Sequence, residues 1–138
     1  MKKIKTNDKY ILRNKKVVPV DDLLKWAEEF ETQDRRVRLT KLPGGYRVST
    51  VFLGIDHQWG DGPPLVFETM VFGPKGWGEM DMDRYSTWDE AVSGHKAMVE
   101  RWKYPTIRKT INDITFFFEK IGWRIEALKR KLERRGNV

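Results

Sequence analysis

Residues 36–72 read RVRLTKLPGGYRVSTVFLGIDHQWGDGPPLVFETMVF, and three strand-like runs stand out within them. Arg36–Leu42 has Val37 and Leu39 on one side, and Pro43-Gly44-Gly45 supplies a turn. Tyr46–Ile55 is rich in β-branched and aromatic residues and is apolar on both faces. Val48 and Phe52 oppose Val51, Leu53 and Ile55, as in a central strand. Leu65–Phe72 is the third run. The intervening Asp56–Pro64 is long for a hairpin loop, and Gly60, Gly62, Pro63 and Pro64 give it a defined shape. Gly73–Ser86 reads as a second irregular stretch.

Helical signals flank these strands. Upstream, Tyr10-Ile11-Leu12 and Val17-Val18 enclose the polar turn Arg13–Lys16, a short hairpin that Pro19 ends. Asp21 then suits the N-cap of a helix running to about Glu31, with Leu23, Leu24, Ala27 and Phe30 at helical spacing. Downstream, Thr87-Trp88-Asp89-Glu90 fits a capping box. Its helix continues to about Trp102 with Trp88, Val92, His95, Val99 and Trp102 on one stripe. The expected fold is α+β: a small antiparallel β-sheet packed by two helices, plus a long amphipathic C-terminal helix (or two).

The C-terminal helix opens at Pro105, a residue at home in a first helical turn. Ile107, Ile111, Ile114, Phe118, Ile121, Ile125, Leu128 and Leu132 follow one another at alternating spacings of four and three. That is an a/d seam over nearly four heptads. Such a helix is on the order of 45 Å long, more than a domain of this size is wide. Part of the seam therefore needs a partner beyond the sheet, through self-association or through folding back. Gly122 weakens the middle by about 1 kcal/mol relative to Ala and is a point at which the segment divides in two.

The 138 residues include 17 aromatics, enough to fill one core and to exclude global disorder. The absence of Cys excludes disulfides, thiolate metal sites and cysteine nucleophiles. No apolar run reaches the roughly 20 residues of a membrane span, and no signal-peptide stretch follows the basic start. The expected location is the cytoplasm, with no membrane partner. The net charge of +7 is unevenly spread. Residues 1–16 hold seven Lys/Arg against one Asp, residues 17–104 eleven against fifteen, and residues 105–138 nine against four. The expected organisation is a basic N-terminal segment with the start of a hairpin (1–16), an α+β core (17–104) and a basic helical extension with the seam (105–138).

The words VSTVFLGIDHQWGDGPPLVFETMVFG and RYSTWDEAVSGHKAMVERW resemble a family of small proteins recurrent in bacteriophages and prophages, as do VPVDDLLKWAEEFE and RRV upstream. The likeness covers roughly residues 10–102. It implies a phage or prophage origin, a bacterial host cytoplasm and one shared small domain, and it implies no activity. The helix after Pro105 lies outside it.

Both histidines fall in these words, as Asp56-His57 at a strand exit and Gly94-His95 on a helix. A strand exit into a shaped loop is a common place for functional side chains. Were His57 and His95 to converge with Asp56, Asp61 or Glu68, the set would suit a divalent metal or general acid–base catalysis. A histidine on an apolar helix face is more often a core residue, and Asp-His at a strand end is often a loop brace. No cofactor is called for unless that hydrolase reading holds. Glu79-Met80-Asp81-Met82-Asp83 lacks the glycine and distal glutamate of a calcium loop and reads as a solvated acidic loop. Glu68 is expected to pair with Arg47 or Arg38 across the sheet. No nucleophile motif or phosphate loop occurs.

The reading these signals favour is a non-enzymatic phage accessory protein that binds macromolecules and self-associates through Ile107–Leu132. One concrete version is a counter-defence inhibitor of a host nuclease system, working within a host or phage protein complex. Trp59 and Trp77, in Gly-rich loops, are candidate exposed anchors. The alternatives are direct nucleic-acid binding by the basic ends, with Lys129, Arg130, Lys131, Arg134 and Arg135 on phosphates, and a small metal-dependent hydrolase or nuclease built on Asp56, His57 and His95.

Overall fold

A computed structural model describes residues 7–75 and 77–136, apart from the side chain of Arg135. The basic residues 2, 3 and 5 of the N-terminal segment lie outside the described residues. The chain is α+β and divides into two compact units, residues 1–103 and 104–138.

The first unit opens with a hairpin of β1 (Tyr10–Arg13) and β2 (Lys16–Pro19). Asn14 and Lys15 both adopt positive φ at its two-residue turn, as the twist of flanking strands demands. Helix α1 (Leu23–Thr32) follows, capped by Asp22 rather than Asp21: Asp22 Oδ1 accepts from the Leu24 and Lys25 amides at 2.9 and 3.1 Å. Of the expected apolar face only Phe30 turns inward, together with Trp26; Leu23, Leu24 and Ala27 are exposed. Trp26 stacks on Phe30 at 4.9 Å, and its Nε1 donates to the Tyr10 carbonyl at 2.9 Å.

The main sheet is a meander of β3 (Arg36–Lys41), β4 (Arg47–Phe52), β5 (Phe67–Phe72) and β6 (Glu79–Tyr85), antiparallel throughout. The central run stops at Phe52 instead of Ile55 because Gly54 turns at φ +72° with the Phe30 ring against it. A Cβ at Gly54 would meet that ring at 2.2 Å, so the site needs glycine for backbone and space alike.

Strand β6 corrects the sequence expectation of an irregular, solvated acidic stretch. Glu79, Asp81 and Asp83 alternate with Met80, Met82 and Arg84 because the segment is an edge strand, and charge on an edge strand discourages further pairing. Glu68 finds its cation there: Arg84 Nε donates to Glu68 Oε2 at 2.8 Å, in place of the expected Arg47 or Arg38. Arg47 instead lies 4.6 Å over the Phe72 ring.

Helix α2 (Trp88–Arg101) carries the expected capping box between Thr87 and Glu90 and packs on all four strands. Beneath it, Phe52, Val66, Phe67 and Ala91 form one core cluster, and Tyr46, Val48, Val71, Met98 and Trp102 another. Gly94 admits the Tyr85 ring, which would lie 2.1 Å from any Cβ there.

The second unit is the single helix α3 (Pro105–Gly136), about 48 Å long at the usual rise for its 32 residues. Gly122 sits within it without dividing it. A Cβ at Gly122 would have no atom within 4 Å. Gly122→Ala should therefore raise helix stability by about 1 kcal/mol, read as higher helicity and a later melt by far-UV circular dichroism.

Candidate functional site

The two histidines occupy separate settings. His95, on the inner face of α2, reaches two strands: its Nε2 lies 2.8 Å from Thr40 Oγ1 and its Nδ1 lies 2.7 Å from Thr50 Oγ1. Thr50 Oγ1 is in turn 2.6 Å from Thr69 Oγ1. His95 is 1% exposed, and Thr50 and Thr69 are fully buried, so no substrate reaches this chain of hydroxyls. Burial, with the charge of Arg38 as a second cause, holds the His95 imidazole below its ordinary pKa. A neutral ring that donates through one nitrogen and accepts through the other satisfies both threonines. The arrangement is a satisfied polar core, with no ring lone pair left for a metal ion.

Asp56 and His57 lie where the chain leaves β4 for the Gly/Pro loop. Asp56 Oδ1 accepts from the Gln58 amide at 2.7 Å and the Leu65 amide at 2.9 Å, bracing the loop from both ends. The His57 backbone continues that brace by donating to the Leu65 carbonyl. Asp8, Asp56, His57, Gln58 and Trp59 line a cavity of about 250 Å³. That is below the roughly 300–1,000 Å³ usual for small-molecule sites. Among the described residues no three His, Asp or Glu groups are placed to hold a metal ion. The structure thus brings Asp56 and His57 to one loop and leaves His95 inside the sheet–helix core. Asp61 is on the loop surface and Glu68 is tied to Arg84.

The loop tryptophans differ. Trp59 is 94% exposed, whereas Trp77 is half exposed and meets the Tyr46 ring edge-on at 6.3 Å.

The strongest candidate for a binding surface is α3. Ile107, Ile111, Ile114, Phe118, Ile125, Leu128 and Leu132 are each between 46% and 67% exposed, and Ile121 is partly buried. Burying one such side chain is worth about 1.5–3 kcal/mol, against a total domain stability of about 5–15 kcal/mol. Seven of them on one line make an apolar stripe far beyond the scattered surface Leu or Ile of an ordinary monomer. Phe116, Phe117 and Trp123 are exposed as well and widen the first half. Lys129, Arg130, Lys131 and Arg134 are exposed near the end of the helix; the side chain of Arg135 lies outside the described residues.

The sequence words that carry the family resemblance, the two histidines among them, are occupied by structure. Thr50, Phe52, Gly54 and Asp56 build the core contact, the turn and the loop brace. Arg84, Tyr85, Thr87, Gly94 and His95 supply an ion pair, a ring contact, a cap and the polar core. Thr40, Thr69, Tyr85 and Asp81 were missed as partners because their roles depend on pairing across strands. The period-two alternation of residues 79–85 was the signal that would have placed the last two. Comparison with protein-family models, curated proteins and solved structures returns no match to this chain. Among the described residues no helix is long and apolar enough to cross a membrane.

Proposed function

We propose that the chain is a non-enzymatic phage accessory protein that acts by binding macromolecules, with α3 as its working element and self-association as one of its contacts. The exposed seam of α3 carries this reading. A further version of it, inhibition of a host nuclease system as a counter-defence, draws support only from the phage-like words of residues 10–102 and the small size of the chain.

The seam is better matched to a second copy in its first half. Residues flanking it there are Thr110, Thr115 and Phe117, with Arg108 alone charged, so two copies meet without strong repulsion. Light scattering of the full chain over a wide concentration range should show an oligomer. Ile114→Asp with Phe118→Asp should return it to a monomer with the melting transition of residues 7–103 unchanged. A native chain that stays monomeric throughout the range would refute self-association.

The basic end of α3 favours nucleic acid as a second reading, since Lys129, Arg130, Lys131 and Arg134 cluster within two turns. Binding of that kind would weaken steeply with salt.

A further inference from the structure

Along α3 the positions that border an a/d seam are the e and g positions of the heptad. With Ile125 and Leu132 at a and Leu128 at d, the bordering residues of the second half are Arg124, Lys129 and Lys131, all basic. The carboxylates Glu126 and Glu133 stand one position further round, away from the seam. Lys129 makes an exposed ion pair with Glu126 at 3.4 Å, a contact water and salt screen readily. Two copies of this half, parallel or antiparallel, would set Arg and Lys against Arg and Lys.

We propose that the Arg124–Leu132 half of α3 docks an acidic amphipathic helix of another protein, one with apolar a and d residues bordered by Glu or Asp. Charge complementarity identifies the occupant, and the apolar line between the cations narrows it further. A nucleic acid would meet the cations but leave Ile125, Leu128 and Leu132 in water. A lipid surface favours a broad apolar face, whereas this stripe is a single line of side chains of the width one partner helix covers. The inference rests on α3 as the binding element but not on self-association.

The test uses the full chain and a labelled three-heptad peptide with Leu at a and d and Glu at e and g, followed by fluorescence anisotropy at physiological salt. Controls are a scrambled peptide of equal composition, a DNA duplex and vesicles containing phosphatidylserine. The heptad peptide should bind at least tenfold more tightly than its scramble. The triple variant R124E/K129E/K131E should lose at least tenfold in affinity and regain it for a peptide carrying Lys at e and g. These three side chains are on an exposed helix surface, and far-UV circular dichroism confirms the helix. Equal binding of the scramble, an unaffected triple variant, or tighter binding of the duplex or vesicles would overturn the proposal. Light scattering of the unliganded chain separates the two readings. An oligomer that ignores the peptide sinks only the acidic partner, and a monomer that binds it sinks only self-association.

Discussion

Trp102→Ala should cost about 4 kcal/mol of unfolding free energy, a large share of the roughly 5–15 kcal/mol of a whole domain. The indole is fully buried at the end of α2, 6.1 Å from the Tyr46 ring and against Val48, Val71 and Met98. Its loss opens a cavity at the centre of that cluster. It also removes a second bond, since Trp102 Nε1 donates to Asp81 Oδ2 at 2.8 Å, the same oxygen that Arg101 contacts at 3.2 Å. Asp81 thereby ties edge strand β6 to the last turn of α2. Trp102→Phe keeps most of the ring and should cost about 2 kcal/mol, chiefly the bond to a charged acceptor. Urea unfolding monitored by circular dichroism reads both. A Trp102→Ala midpoint within experimental error of the native one would contradict this view of the core.

Acidification should weaken the fold through His95. The buried ring is neutral and its pKa is depressed by burial, while in the unfolded chain it protonates near 6.5. Between those two values the unfolded chain binds the extra proton, so stability falls as pH falls. The slope is at most about 1.4 kcal/mol per pH unit below 6.5 and vanishes above it. Urea midpoints of the native chain should therefore drop between about pH 7 and pH 5, where most carboxylates stay ionised. His95→Gln should flatten that slope and lower stability at neutral pH by about 1–3 kcal/mol, because Thr40 and Thr50 lose well-placed partners. A native chain that gains stability on acidification would show that His95 is not held neutral.

Residues whose structure follows from local chemistry were legible in the sequence. The capping box at Thr87 and Glu90, the three apolar strand runs and the four-three spacing of the last helix each depend on near neighbours. The acidic strand was not legible, because charge on Glu79, Asp81 and Asp83 masked the alternation that edge pairing rewards. The partner of Glu68 was hidden with it, since Arg84 belongs to that strand. As for the site, the seam of α3 could be read from spacing alone. Whether His57 and His95 meet could not, because that depends on which face of the sheet α2 covers.

The hydroxyl chain beneath α2 has a consequence for how the strands align. Three neighbouring strands each contribute one member, Thr40 from β3, Thr50 from β4 and Thr69 from β5. A slip of one residue between strands would be rejected at once, because it turns apolar side chains to the wrong face. A slip of two keeps every face correct, and Val48, Thr50 and Phe52 would tolerate it on hydrophobic grounds. The hydroxyls would not, since His95 would then be sealed in with a nitrogen lacking its threonine, at about 1–3 kcal/mol for each orphaned group. The polar chain works as a key that admits one alignment of β3, β4 and β5 among those that apolar packing alone leaves nearly equal.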